Sequence, residues 1–205
     1  MPPNRHEGVL EEWLEATDLE EHNMRTGLVL VDIQNDYFPG GRMELVGISE
    51  AGQKSGGLLS FFRDNKWPTF HIQHLSVRKR ATFFLPDTRG AEIHNCIKPL
   101  SDERIIQKFY PNSFRETTLL EELKKNQIEQ VVVCGAMSHM CIDATTRAAF
   151  DLGFECVAIK DACATRNLEF DDKTIAADQV HASFMAALGS AYAKVLTIEA
   201  FKASC

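Results

Sequence analysis

The longer apolar stretches of this chain, such as Leu28–Val31 and Val131–Val133, are short. They fall far below the roughly 20 residues that a membrane-spanning helix needs. A basic surplus is missing too: 22 Lys and Arg stand against 29 Asp and Glu, a formal net charge of −7. That balance makes nucleic acid and anionic membrane surfaces poor partners. The first residues, Met1-Pro2-Pro3-Asn4-Arg5-His6-Glu7, contain no apolar core of a secretion signal and turn acidic. None of the six cysteines (Cys96, Cys134, Cys141, Cys156, Cys163, Cys205) forms a C-x-x-C pair. They are expected as reduced thiols of a cytoplasmic protein. Repeats, low-complexity segments and Gly/Ser linkers are likewise missing, so residues 1–205 are expected as a single domain.

The rest is an ordinary globular composition, with 44% apolar and 25% charged residues over 205 positions. A chain of that length buries roughly 70% of its unfolded surface and needs no disulfide or metal to hold it. Its organising feature is alternation. Thr26–Ile33 is a continuous apolar run, the pattern of a strand covered on both faces. Ile48, Ala51, Ser55, Leu58, Leu59 and Phe62 then recur at helical spacing. Trp67–His74 and Arg104–Lys108 read as strands, and Leu119, Leu120 and Leu123 as a helix. Glu129–Cys134 is a second buried strand, followed by a helical face of Cys141, Ala144, Thr145, Ala148, Ala149 and Leu152.

Phe154–Ile159 is a further strand. A helix through Ala177, Val180, Phe184, Ala187, Leu188 and Ala191 follows, with Asp171 or Asp172 as its expected cap, and Ala193–Thr197 closes the series. Strand–helix alternation of this kind implies right-handed crossovers and a three-layer α/β/α domain around a parallel sheet of about six strands. Ser76–Glu103 resists the pattern and is expected as an irregular excursion forming the lid or wall of a site. Glu7–Glu21 carries Leu10, Trp13, Leu14 and Thr17 on one stripe; residues 1–22 are expected as a helical extension and an interface element.

Ligands of open parallel sheets bind beyond the carboxyl ends of the strands. Three such ends carry chemistry: Asp32 after the first strand, Lys108 at the end of the third, and Cys141 just past the fourth. A thiol at a helix N-terminus faces the positive end of the helix dipole, and a nearby lysine adds to that field. Thiolate is therefore the expected form of Cys141. An aspartate carrying the proton and backbone N–H groups receiving an oxyanion complete the parts of nucleophilic acyl transfer. On position alone each residue also has a plainer reading: Asp32 a turn cap, Lys108 an edge lysine, Cys141 a small core residue.

Leu28–Phe38 (LVLVDIQNDYF), Gln107–Phe114 (QKFYPNSF) and Val133–Phe150 (VCGAMSHMCIDATTRAAF) resemble three signature blocks of the isochorismatase-like cysteine hydrolases, in the family's order. Asp161–Arg166 (DACATR) resembles a fourth family segment, and the likeness extends over roughly Thr26 to Thr197. The resemblance implies a six-stranded parallel sheet of order 3-2-1-4-5-6. It implies Asp32 as general base and acid, Lys108 as the cation that holds thiolate and aspartate, and Cys141 as nucleophile. It also implies a cis peptide at Ala136-Met137, with the N–H groups of Met137 and Cys141 as the oxyanion hole. A cysteine at the nucleophile's position points to the amidase-like branch, acting on a small amide, lactam or related acyl compound through a thioester. Dimers or tetramers are the family's usual assemblies.

Gln34, Tyr37, His74, Phe114, His139 and Met140 flank these positions and are the candidate substrate contacts. The nicotinamidase branch binds a metal through an aspartate and histidines after the second strand. Here that region offers His71-Ile72-Gln73-His74, whose two histidines point to opposite faces of a strand, so no metal and no cofactor is expected. Cys141 through Arg147 also satisfies C-x5-R, the spacing of cysteine phosphatases. Its interval of Ile-Asp-Ala-Thr-Thr reads as helix, however, and places a carboxylate where an anion should bind, so Arg147 is expected to pair with Asp143. The other class of reading is a non-catalytic binding or scaffold protein with the same fold. If the chain is an enzyme, Cys141→Ala and Asp32→Asn are each expected to abolish turnover with thermal stability nearly intact.

Overall fold

The structure, a computed structural model, describes residues 24–205. The expected helix over Glu7–Glu21 lies outside the described residues. Eight strands follow in chain order: β1 Thr26–Val31, β2 Thr69–His74, β3 Arg104–Lys108, β4 Gln130–Ala136, β5 Glu155–Ala164, β6 Leu168–Phe170, β7 Lys173–Ile175 and β8 Lys194–Leu196. Five α-helices join them: α1 Ile48–Asp64, α2 Leu119–Lys125, α3 Asp143–Asp151, α4 Ala177–Ala191 and α5 Ile198–Lys202. Six strands form one parallel sheet in the order β3-β2-β1-β4-β5-β8. That is the expected order, with β8 in the sixth place because β6 and β7 form a separate antiparallel hairpin.

Burial explains why the central strands read so clearly. Every residue of β1 is buried, as are all but the first of β4, because helices cover both faces of the sheet. The helix α1 turns Ile48, Ala51, Ser55, Leu58, Leu59 and Phe62 inward, the set its periodicity marks. Phe62 stacks on Phe201 of α5, which puts those two helices in one layer. From the centre, β1→β2→β3 steps one way and β4→β5→β8 the other. Right-handed crossovers in opposite directions lay their helices on opposite faces and leave a crevice where the direction switches, at the carboxyl ends of β1 and β4.

Two local features depart from the sequence reading. Asp171 and Asp172 do not cap α4; they are the two-residue turn of the β6–β7 hairpin, both with positive φ (47° and 58°). Such a turn requires left-handed backbone at both positions, which aspartate tolerates. The α4 start is held instead by Asn167, whose Oδ1 accepts from Ala177 N–H at 2.9 Å. The short helix α5, capped by Thr197 Oγ1 on Ala200 N–H, also went unread. Among the described residues no helix is long and apolar enough to cross a membrane.

Candidate active site

The switch point holds the three residues that the strand ends single out. Asp32 leaves β1 with φ +53°, a left-handed conformation uncommon outside glycine that turns its side chain across the sheet edge. Lys108 is the last residue of β3, paired with His74 at the end of β2. Beyond β4 the chain passes a cis peptide at Ala136-Met137 and a wide π turn, Ser138–Ile142, that carries Cys141 immediately ahead of α3. Gly135 makes this path possible. Its φ is +125°, and a Cβ there would press on the carbonyl of Val31 in the neighbouring strand.

Asp32 and Lys108 are both fully buried, and Lys108 Nζ lies 2.9 Å from Asp32 Oδ2. The ammonium also donates to Pro111 O at 2.9 Å. The Lys108 ammonium is thus the principal charge against the Asp32 carboxylate, which His74 and Cys141 also adjoin. His74 joins the group. Its Nδ1 is 3.6 Å from Asp32 Oδ2 and 4.0 Å from Cys141 Sγ.

The charges sort themselves by environment. Burial pushes the Asp32 carboxyl up, but the Lys108 ammonium, with His74 and Cys141, outweighs it and holds the group below its usual value. Burial opposes the charge of Lys108, yet Asp32 and Cys141 keep the ammonium above its usual range. At Cys141 burial comes first and the Asp32 carboxylate second. Together they push the thiol up against the pull of Lys108. These influences favour a thiol beside a carboxylate and an ammonium, opposite to the pull of the helix start and the lysine from which a thiolate is expected. The sequence reveals the helix start and the lysine, but not that the sulfur is buried beside an anion.

Cys141 opens on a cavity of about 320 Å³. His74, Met137 and Cys141 form its floor, and Tyr37, Phe83, Phe109 and Met140 its apolar walls. Three candidate contacts lie elsewhere. Gln34 is consumed by backbone: its amide donates to the carbonyls of His74 and Ala91 and accepts from His74 N–H at 2.7 Å, tying the β1 loop to β2. Phe114 stacks on Phe154 in the core. His139 pairs with Thr165 Oγ1 at 2.6 Å and packs on Phe184. The excursion after β2 does wall the site, through Ser76, Arg78, Arg80, Ala81, Thr82 and Phe83. In sequence, the signal of this wall is the run Arg78-Lys79-Arg80 followed by Phe83-Phe84.

Metal binding after β2 is not supplied by the two histidines there. His71 is buried against Glu103, its Nε2 3.0 Å from Oε2, on the side of the strand away from the cavity. Asp32, His74 and Cys141 bring three ligand atoms within 4.8 Å, but the Lys108 ammonium on the same carboxylate opposes a cation there. The C-x5-R arginine behaves as expected: Arg147 Nε donates to Asp143 Oδ1 at 2.9 Å along α3.

Comparison with known proteins gives the family. A family model, the isochorismatase domain, matches residues 26–198. An uncharacterized isochorismatase family protein of Bacillus subtilis, YddQ, is 49% identical over 178 residues, covering 87% of this chain and 99% of that one. Nicotinamidase 3 of Arabidopsis thaliana is 34% identical over 154 residues, covering 72% and 77%. The crystal structure of an isochorismatase hydrolase from Oleispira antarctica superposes with a TM-score of 0.84 at 44% identity, covering 88% of this chain and 97% of that one. The chain belongs to the isochorismatase family and is a hydrolase of the kind that acts on amide C–N or related bonds.

Proposed function

We propose that the protein hydrolyses a carbon–nitrogen bond of a small amide, lactam or related acyl compound through a thioester on Cys141. The observation that carries this reading is the fully buried Asp32–Lys108 pair set beside a thiol at the floor of a small cavity. As Cys141 Sγ attacks the acyl carbon, its proton passes to Asp32 and the C=O electron pair moves onto oxygen. The N–H groups of Met137 and Cys141 receive that oxyanion. Asp32 returns the proton to the departing nitrogen, the C–N bond breaks and the thioester remains. Water then attacks with Asp32 as base, the C–S bond breaks, and Asp32 reprotonates the sulfur.

Lys108 keeps Asp32 ionised in a place where burial alone would neutralise it. The six free thiols among the described residues suit a reducing compartment, which supports a cytoplasmic reaction. The test is a panel of small amides and lactams followed by intact-mass detection of an acyl adduct. Wild type is expected to carry the adduct on Cys141, and Cys141→Ala is expected to lose both adduct and turnover. A Cys141→Ala protein that retains wild-type turnover refutes the reading.

A further inference from the structure

We infer that the substrate carries a carboxylate, bound at the mouth of the cavity by Arg78 and Arg80. This inference rests on the acyl-transfer reading above and adds to it the chemical class of the substrate. The two guanidiniums line the same cavity as Cys141, on the segment that leaves β2. The guanidiniums of Arg78 and Arg80 have no ion pair or hydrogen bond among the described residues, unlike those of Arg63 and Arg147, which are held by Glu103 and Asp143. No acidic residue lines the cavity alongside them. On a chain of net charge −7 this is a local concentration of positive charge, with Lys79 between the two arginines.

The shape of the cavity separates two tasks. The reacting sulfur of Cys141 lines it as a buried group, the walls are largely apolar, and the charged lining residues, Arg78 and Arg80, are exposed. A guanidinium offers planar, paired N–H donors that match a carboxylate. The volume, about 320 Å³, lies at the small end of ligand sites. The molecule that fits has its scissile carbonyl at one end, a short apolar body and a carboxylate at the other.

Glutaramate and its methyl ester differ in that charge and one methyl group and serve as probes, with binding measured by calorimetry on Cys141→Ala, where no turnover intervenes. Glutaramate is expected to bind at least 10-fold more tightly than the ester. In Cys141→Ala carrying Arg78→Gln and Arg80→Gln that preference is expected to vanish, and Arg78→Lys with Arg80→Lys is expected to restore part of it. Equal binding of acid and ester, a preference that survives the double Gln change, or no detectable binding of glutaramate overturns the inference. Acyl-adduct formation on Cys141 by any member of the amide panel reports separately on the hydrolytic reading. A carboxylate preference without an adduct upholds the anion site and counts against the thioester; an adduct without the preference does the reverse.

Discussion

Breaking the Asp32–Lys108 pair from one side should cost far more stability than removing it from both. At 2.9 Å and an effective dielectric constant near 20, the Coulomb attraction is about 6 kcal/mol. The desolvation of two fully buried ions consumes several kcal/mol each, so the pair contributes little net stability. Asp32→Asn, by contrast, leaves the Lys108 ammonium buried among neutral acceptors such as the Pro111 carbonyl, with no carboxylate to offset its charge, a loss of about 3–5 kcal/mol. For a chain of this size that corresponds to a fall in Tm of roughly 6–20 °C. The buried geometry thus predicts a loss for Asp32→Asn where the sequence alone leads one to expect nearly intact thermal stability, and a thermal melt decides between the two.

Lys108→Met strands the carboxylate instead. Its pKa then rises above the unfolded value of 3.8, so the stability it lacks at neutral pH returns as the pH falls through the raised folded value. Asp32→Asn with Lys108→Met leaves no buried charge, and its Tm should stand well above that of either single variant. Urea denaturation of the four proteins gives the coupling directly, with an expected magnitude of about 3 kcal/mol or more. Single changes that add within about 0.5 kcal/mol refute the argument.

Gly135→Ala should lower stability by about 3 kcal/mol, because the left-handed backbone and the Val31 carbonyl both exclude a side chain; a urea midpoint close to wild type speaks against that geometry. His74→Gln should reduce kcat roughly 100-fold while Tm moves little, since the side chain borders Asp32 and Cys141 at the cavity floor. An unchanged kcat means that His74 does not support the Asp32–Cys141 pair it borders. Stability should also decline above pH 9, where unfolded thiols ionise. Burial holds Cys96 to about 11 and both Cys134 and Cys156 to about 12, so the folded state retains protons that the unfolded state releases. Urea midpoints that are equal at about pH 8 and about pH 10 contradict this.

The parts of the fold legible in sequence are those fixed by two-sided burial. Both β1 and β4 are unbroken apolar runs because helices cover each face, and α1 shows its inward stripe because its outer face meets water. From those strands the positions of Asp32, Lys108 and Cys141 follow, since a strand's end is fixed once the strand is. The β6–β7 hairpin was hidden because its strands are mostly exposed and aspartate suits both a helix cap and a tight turn. That the Gln34 amide is taken up by backbone is not legible in sequence, because its partners sit 40 and 57 residues away, at His74 and Ala91. Arg78 and Arg80 lie in an irregular segment without periodicity, where only the folded chain reveals which cavity they face.

A protonated resting thiol is compatible with catalysis because of where its proton goes. Ionising Cys141 into solvent would leave a second anion beside the Asp32 carboxylate in a buried site, which is why its pKa is raised. Transfer to Asp32 converts thiol and carboxylate into thiolate and acid, and the total charge around Lys108 does not change. The desolvation cost that opposes ionisation to bulk therefore does not oppose this internal step, and Lys108 attracts the negative charge on sulfur as it does on oxygen. The acylation rate should then follow the proton already inside the site rather than the pH outside it. The profile of kcat/KM should consequently show no rising alkaline limb near 9.0, the ordinary thiol value. A limb centred there would mean that Cys141 ionises to solvent before substrate arrives, and that Asp32 is not its proton acceptor.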